Sequence, residues 1–306
     1  MSETTDVKSR LNSLLENDFI DSFRRGIKQY MTDRITIICL AFLTILVFIS
    51  VFDQFIMPYE HDALHRTADG EIARLESPSS DHLLGTTSSG EDVFSQLIYG
   101  ASSTLLTGVV GGLVIVSIGL TIGMVSGYYG GRVDSFLMRA TDFAYGIPII
   151  PTAIVLVAYF GMGFWSSVLI IGLLLWRGNA RVFRSQVLQI KEREHIKAAK
   201  MLGASDWYVI TRHILPNMMG MVVLFFALGT GITILLSAGL AFLGFMDPFV
   251  PSWGVMLRGA YSSGSMTEAW WWALPPGFMI SSTVLSIFLL GRSYERVNEE
   301  QVNQVA

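Results

Sequence analysis

Five long stretches without a charged residue constrain this chain more than any other feature: Ile35 to Phe52, Val93 to Gly131, Phe143 to Trp176, Ile214 to Met246 and Ala269 to Gly291. A helix crosses the hydrocarbon core of a bilayer with about 20 residues. With 51% hydrophobic and only 15% charged residues, the chain holds more apolar material than one soluble core needs, so it reads as an all-α membrane protein. The run from Val93 is long for one span. Its first part, VFSQLIYGASST, carries polar residues that suit an interfacial helix, leaving Leu105 to Tyr129 to cross. The run from Phe143 is split at FGMGFW, where two glycines favour a short turn between antiparallel helices. Six transmembrane helices result, over about 35–54, 104–130, 134–160, 164–183, 218–244 and 273–292.

Short loops rich in Lys and Arg stay on the cytoplasmic side. With both termini cytoplasmic, only Arg66, Arg74 and Arg258 of the 21 basic residues fall outside. The expected organisation is a cytoplasmic segment 1–34 and a first transmembrane helix 35–54. An extracytoplasmic loop 55–103 with the interfacial helix follows, then a core of five transmembrane helices over 104–292 and a cytoplasmic tail 293–306. Arg24, Arg25, Lys28 and Arg34 hold the first segment inside, and no cleavable secretory signal is expected. Cys39 lies inside the first span and reads as packing. The net charge of −4 hides a division, since Glu60, Asp62, Asp69, Glu71, Glu76 and Asp81 gather in the outer loop.

Gly119, Gly123, Gly127 and Gly131 recur every fourth residue, as do Gly108 and Gly112, so one side of the second span is nearly bare and admits a close neighbour. Ordinary glycine enrichment of a membrane helix is the alternative. Ion-coupled carriers keep ionisable residues at membrane depth, and here only Arg139 and Asp142 come near it, so the energy for any transport is expected to enter from elsewhere.

The longest inner loop, 185–216, contains KAAKMLGASDWYVITRHILP. Lys191 to Leu202 are mostly good helix formers, and Gly203 suits the left-handed position just past a helix end. Ser205 or Asp206 caps a second short helix, Trp207 to about His213, which Pro216 ends before span five. Ile196, Ala199 and Gly203 share one side of the first helix, with Ala198, Met201 and Leu202 adjacent. That makes a small apolar knob in a basic collar, suited either to a groove on a soluble partner or to lipid headgroups.

The stretch resembles the cytoplasmic EAA loop of permease subunits of binding-protein-dependent ABC importers, in which Glu-Ala-Ala is followed at fixed spacing by Gly and then Leu-Pro. Ala198, Ala199, Gly203, Leu215 and Pro216 match. HLLGTTSSGEDVFSQLIYG, WRGNARVFRSQVLQIKEREHI, AFLGF and PSWGVML resemble the dipeptide, oligopeptide and nickel branch of that family, its C-type subunit in particular. The resemblance implies a type I importer permease fold whose coupling helix, about Glu194 to Trp207, inserts into a partner ATPase. It implies docking and coupling roles for Glu194, Lys197, Ala198, Ala199, Leu202, Gly203, Ala204, Ser205, Leu215 and Pro216. The implied partners are a second homologous permease in a heterodimer, two ATP-binding subunits, an extracytoplasmic substrate-binding protein and the lipid bilayer, without nucleic acid. No cofactor is expected in this chain, ATP and Mg belonging to the partner ATPase. Four positions depart from the pattern: Lys197 stands for Glu, Thr87 for Asp, Glu91 for Arg and Ser102 for Arg. An acidic partner surface facing Lys197 is one reading of the first.

Enzymatic chemistry is not expected. GTTSSGED has the two glycines of a phosphate loop but Glu91 where Lys should grip phosphate. His61 and His65, beside Asp62, lack a third metal ligand and read as a solvated loop. No His lies within a span, and no catalytic pair is visible. Trp253 and Trp270 to Trp272 read as anchors at the outer boundary. The alternative function is a stand-alone ion-coupled carrier or channel, for which transport by the lone chain would be the discriminating observation.

Overall fold

The computed structural model describes residues 33–305, with side chains to residue 296. Most of the expected cytoplasmic segment 1–34 lies outside the described residues. Among the described residues the regular elements are all helices, and the only strand-like pairings are the isolated bridges Arg66 to Ile72 and Thr86 to Asp92. In order, the helices are α1 (Arg34–Val51), α2 (Asp53–Ile56), α3 (Val93–Tyr129), α4 (Gly131–Tyr145), α5 (Ile149–Phe160), α6 (Phe164–Ile190), α7 (Glu194–Met201), α8 (Asp206–Val209), α9 (Leu215–Leu243), α10 (Trp253–Ser262) and α11 (Trp270–Val305).

The central helix is α3, with 37 residues. Asp92 caps it, accepting from the Ser95 amide at 2.8 Å. The expected interfacial helix is therefore the first part of α3 and not a separate element, because nothing between Leu97 and Leu105 breaks the helical bonding. Its glycines do what the bare face requires, on two sides. A Cβ on Gly119, Gly123 or Gly127 would lie 2.7–2.8 Å from atoms of α6, and Gly108, Gly111 and Gly112 press on Thr230, Thr233 and Ile234 of α9. Helices this close need glycine at the crossing. Gly131 leaves the series: it lies beyond the end of α3 with φ +54° and open space beside it.

The expected span 134–160 is broken. Helices α4 and α5 meet at 86°. Pro148 lacks an amide hydrogen and disfavours helical backbone at Ile147, so the ladder stops there. Arg177 of α6, buried at 9% exposure, donates to the freed carbonyl of Ile147 at 3.0 Å and to that of Ala144. Its guanidinium also lies 5.1 Å from the centre of the Tyr145 ring, and that of Arg181 lies 4.1 Å from the same centre while pairing with Asp142. The turn expected at FGMGFW is present, between Phe160 and Phe164, with Gly161 at φ +98°.

Pro216 does not end a helix. The chain stays helical from Asp206 to Leu243 because a π turn, Ile210–Ile214, precedes the proline and the Leu215 amide reaches back to the Ile210 carbonyl. The wider turn absorbs the missing donor and the ring. Among the described residues, four helices are long and apolar enough to cross a membrane: α1, α3, Asp206–Leu243 and Trp270–Arg296. The α4–α5 pair makes a fifth if taken as one span. Helix α6 is not among them, since Arg177, Arg181 and Arg184 follow its apolar first half. Large apolar side chains such as Ile38, Phe48, Phe136 and Val155 stand exposed on these helices, as lipid-facing residues do.

Trp253 is fully buried, and Trp271 and Trp272 are 9% and 5% exposed, so three of the four tryptophans expected at the boundary pack in the core beside Leu46, Val93 and Ile280. Trp253 donates its indole N–H to the Leu97 carbonyl at 3.0 Å, which explains why a polar aromatic is admitted. Of these four, only Trp270 is exposed.

Candidate functional site

Of the residues singled out between Glu194 and Pro216, those from Glu194 to Ser205 lie on α7 and the turn after it, at one end of the bundle. Helix α7 begins at Glu194 and ends in a Schellman turn, in which the Gly203 amide bonds the Lys200 carbonyl at 3.0 Å and the Ala204 amide bonds the Ala199 carbonyl at 3.1 Å. Gly203 sits at φ +83°, a backbone that L side chains rarely adopt. Ser205, not Asp206, caps the next helix and accepts from the Tyr208 amide at 3.3 Å.

Ile196 is not part of the knob. It is fully buried against Phe183, Val187, Ile190 and Ile214, and it anchors α7 to the bundle. Three and four residues along a helix return to the same face, so burying Ile196 and half-burying Ala199 turns the opposite side outward. The exposed apolar surface is Met201 (82% exposed), Leu202 (89%) and Trp207 (75%), beside exposed Ala198 and around the Gly203 turn. Trp207 was not among the expected site residues proper, although it bounded the expected coupling helix. Leu215 and Pro216 lie apart from this tip, at the start of α9 and about 15 Å along the axis from Asp206 at 1.5 Å per residue. Lys197 has partners of its own: Glu192 at 3.2 Å and Glu194 at 3.9 Å. An acidic partner is therefore not required to balance it.

The tip is bolted to α3. The Tyr128 hydroxyl donates to Asp206 at 2.5 Å, and the Lys200 ammonium lies 4.3 Å from the Tyr128 ring centre, so one side chain holds both short helices. Lys191 donates to the Gly127 carbonyl at 2.8 Å. Arg184 grips Asp134 with two hydrogen bonds of 2.5 Å, tying α6 to α4. Helical periodicity carries no trace of Tyr128 or Lys191, whose partners are far away in sequence. The tip is thus in contact with α3 through Tyr128 and with α6 and α9 through the cluster around Ile196.

At the opposite end, the Met57–Asp92 segment folds over α3. His82 Nδ1 meets Asp92 at 2.9 Å, so the residue that caps α3 is itself held by a buried imidazole. Rings of His65 and His82 stand 4.6 Å apart, with Tyr59 4.3 Å from His65, while His61 packs at 4.0 Å on Tyr99. His61 and His65 are thus partly buried and point to different neighbours, not to solvent. Burial, then the adjacent His82, holds the His65 imidazole below its ordinary range, against an opposing pull from Asp92. Thr87 and Glu91 meet each other, Thr87 Oγ1 donating to the Glu91 carboxylate at 3.0 Å, so these two departures from the family pattern form one local pair. The GTTSSGED stretch is a turn closed by the Thr86 to Asp92 bridge. Ser102 lies half-buried on α3.

Comparison with known proteins adds to this geometry. A family model described as "Binding-protein-dependent transport system inner membrane component" matches residues 119–299. The chain is 35% identical over 266 residues to a glutathione transport system permease protein of Pectobacterium atrosepticum, covering 86% of each chain. It is 38% identical over 216 residues to a dipeptide transport system permease protein of Bacillus subtilis, covering 70% of this chain and 67% of that one. It is 32% identical over 276 residues to a dipeptide transport system permease protein of Alkalihalophilus pseudofirmus, covering 89% and 88%.

Proposed function

Since the chain belongs to the binding-protein-dependent transport system inner membrane components, we propose that it is the permease subunit of an ATP-driven importer that moves peptides or related small solutes inward by alternating access. It is a multi-pass membrane protein of a non-catalytic family, and ATP with Mg is held by partner ATPases. The Gly203 tip faces the cytoplasm, as do both termini, and α6 crosses as a sixth span, with Arg177 donating to the elbow carbonyls, Arg181 paired with Asp142 and Arg184 with Asp134. A second permease pairs with it, two ATP-binding subunits dock beneath, and an extracytoplasmic binding protein delivers the solute to the Met57–Asp92 face.

The observation that carries this reading is the exposed Met201–Leu202–Trp207 surface on a helix pinned from behind by Ile196. An apolar cluster held rigidly in water favours a partner groove. ATP binding draws two such tips together, and the contacts to α3 and α9 pass the movement to the bundle, whose packed interfaces have discrete alternative arrangements.

Reconstitution tests it. Proteoliposomes holding the complex purified through this chain, with the binding protein outside and ATP within, accumulate radiolabelled dialanine. Accumulation by the lone chain under a proton or sodium gradient, without ATP, contradicts the proposal and favours a secondary carrier.

A further inference from the structure

Between the Met57–Asp92 segment and α10 lies a cavity of about 490 Å³, within the usual range for small-molecule sites. Its two sides carry opposite charges, Asp62 and Glu91 on one and Arg258 on the other. Glu91 is built into place. Its Oε2 accepts from Thr87 Oγ1 at 3.0 Å and from Nε2 of Gln96 at 2.9 Å, and Gln96 is itself only 8% exposed. Both bonds fall on one oxygen, so Oε1 takes no donor among the described residues.

Arg258 is placed as deliberately. Its guanidinium lies against Gly244, where any Cβ would overlap it, and Gly244 is at φ +91° at the end of α9. Among the described residues Arg258 makes no hydrogen bond or ion pair, and Glu91 has no cation within ion-pair distance. Trp272 lines the same cavity, and its Nε1 is buried without an acceptor. A partly enclosed carboxylate and guanidinium that do not neutralise each other are costly unless something else does so.

We propose that this cavity is a binding subsite for a short peptide with free ends, its terminal ammonium on Glu91 Oε1 and its carboxylate on Arg258. The ends of a dipeptide are about 7 Å apart when extended, and both charges line the one cavity of about 490 Å³. Arg258 meets a carboxylate with a planar fork of donors, the geometry that favours guanidinium over ammonium for this purpose. The inference rests on the peptide-import reading, whose substrate class it narrows to zwitterionic chains.

The test is calorimetric titration of the full chain, with the subunits that co-purify with it, in nanodiscs without nucleotide. The probes are dialanine, N-acetyl-dialanine and dialanine amide. Dialanine is expected to bind at least tenfold more tightly than either blocked form. Glu91→Gln keeps an oxygen for Thr87 and Gln96, so it preserves the wall; it removes the preference for the free ammonium only. Arg258→Gln removes the preference for the free carboxylate only. Such end-specific losses are not produced by a general packing defect, and Glu91→Asp restores discrimination at the ammonium end. Equal binding of all three probes to the wild type, or unchanged discrimination in Glu91→Gln and Arg258→Gln, overturns the subsite even where dialanine is imported. Dialanine binding with these preferences, in a chain whose complex imports no peptide, upholds the subsite and removes the transport reading instead.

Discussion

Ile196 and Leu202 stand on the same short helix and its cap, yet one is sealed from solvent and the other is 89% exposed. Ile196→Ala empties a packed site and is expected to lower stability by about 3 kcal/mol, seen as a reduced melting temperature of the purified protein. Leu202→Ala should leave melting unchanged and weaken ATPase co-purification. Gly203→Asp meets open space, so its penalty is the left-handed backbone alone, roughly 1 kcal/mol. That variant should insert and fold while uptake collapses, and normal uptake would count against docking at this turn. His65 gives a pH dependence. Its folded pKa lies below the ordinary value near 6.5, so the stability it supports is intact above that value and lost as pH falls through the interval beneath it. Melting should therefore drop between pH 7.5 and 5, and the drop should shrink in His65→Phe. At this scale Gly203 was legible because a helix end has its own chemistry. The inward turn of Ile196 was not, since Ala199 and Gly203 extend the same face without saying which side the bundle covers.

Among the elements, the α4–α5 elbow shows how a local signal is completed from a distance. Gly146-Ile147-Pro148 contains the breaker, but an apolar run on both sides reads equally well as one span. What stabilises the bend is Arg177, a residue of another helix. Arg177→Met leaves two carbonyls without their charged donor and is expected to lower stability by about 2 kcal/mol, measurable as a lower melting temperature in detergent. Gly123 makes the opposite case. Its role was visible as spacing, and the structure supplies the neighbour: a Cβ there would be 2.7 Å from both the Ala180 carbonyl and Phe183. Gly123→Val should force α3 and α6 apart and reduce the yield of folded protein, whereas Gly239→Val, with nothing within 4 Å, should not. The π turn before Pro216 had no sequence signal beyond the proline itself.

Over the whole molecule, charge-free runs were enough to mark a helical membrane protein, because the bilayer admits few other solutions. Which helices touch was not legible, since apolar faces look alike in sequence and only shape selects among them. The resulting picture is a bundle with two proposed functional ends, an apolar tip at one and a charged cavity at the other, joined by the glycine-packed α3. The claim on which this rests is that the tip is a docking surface for an ATPase. Purification through a tag on this chain after gentle solubilisation tests it most directly, with Leu202→Asp alongside. Wild type should bring down a second permease and ATPase subunits in fixed proportion, with ATP hydrolysis in the eluate. Leu202→Asp should retain the permease partner and lose the ATPase. Full ATPase recovery with Leu202→Asp, or a lone wild-type chain, would contradict the account.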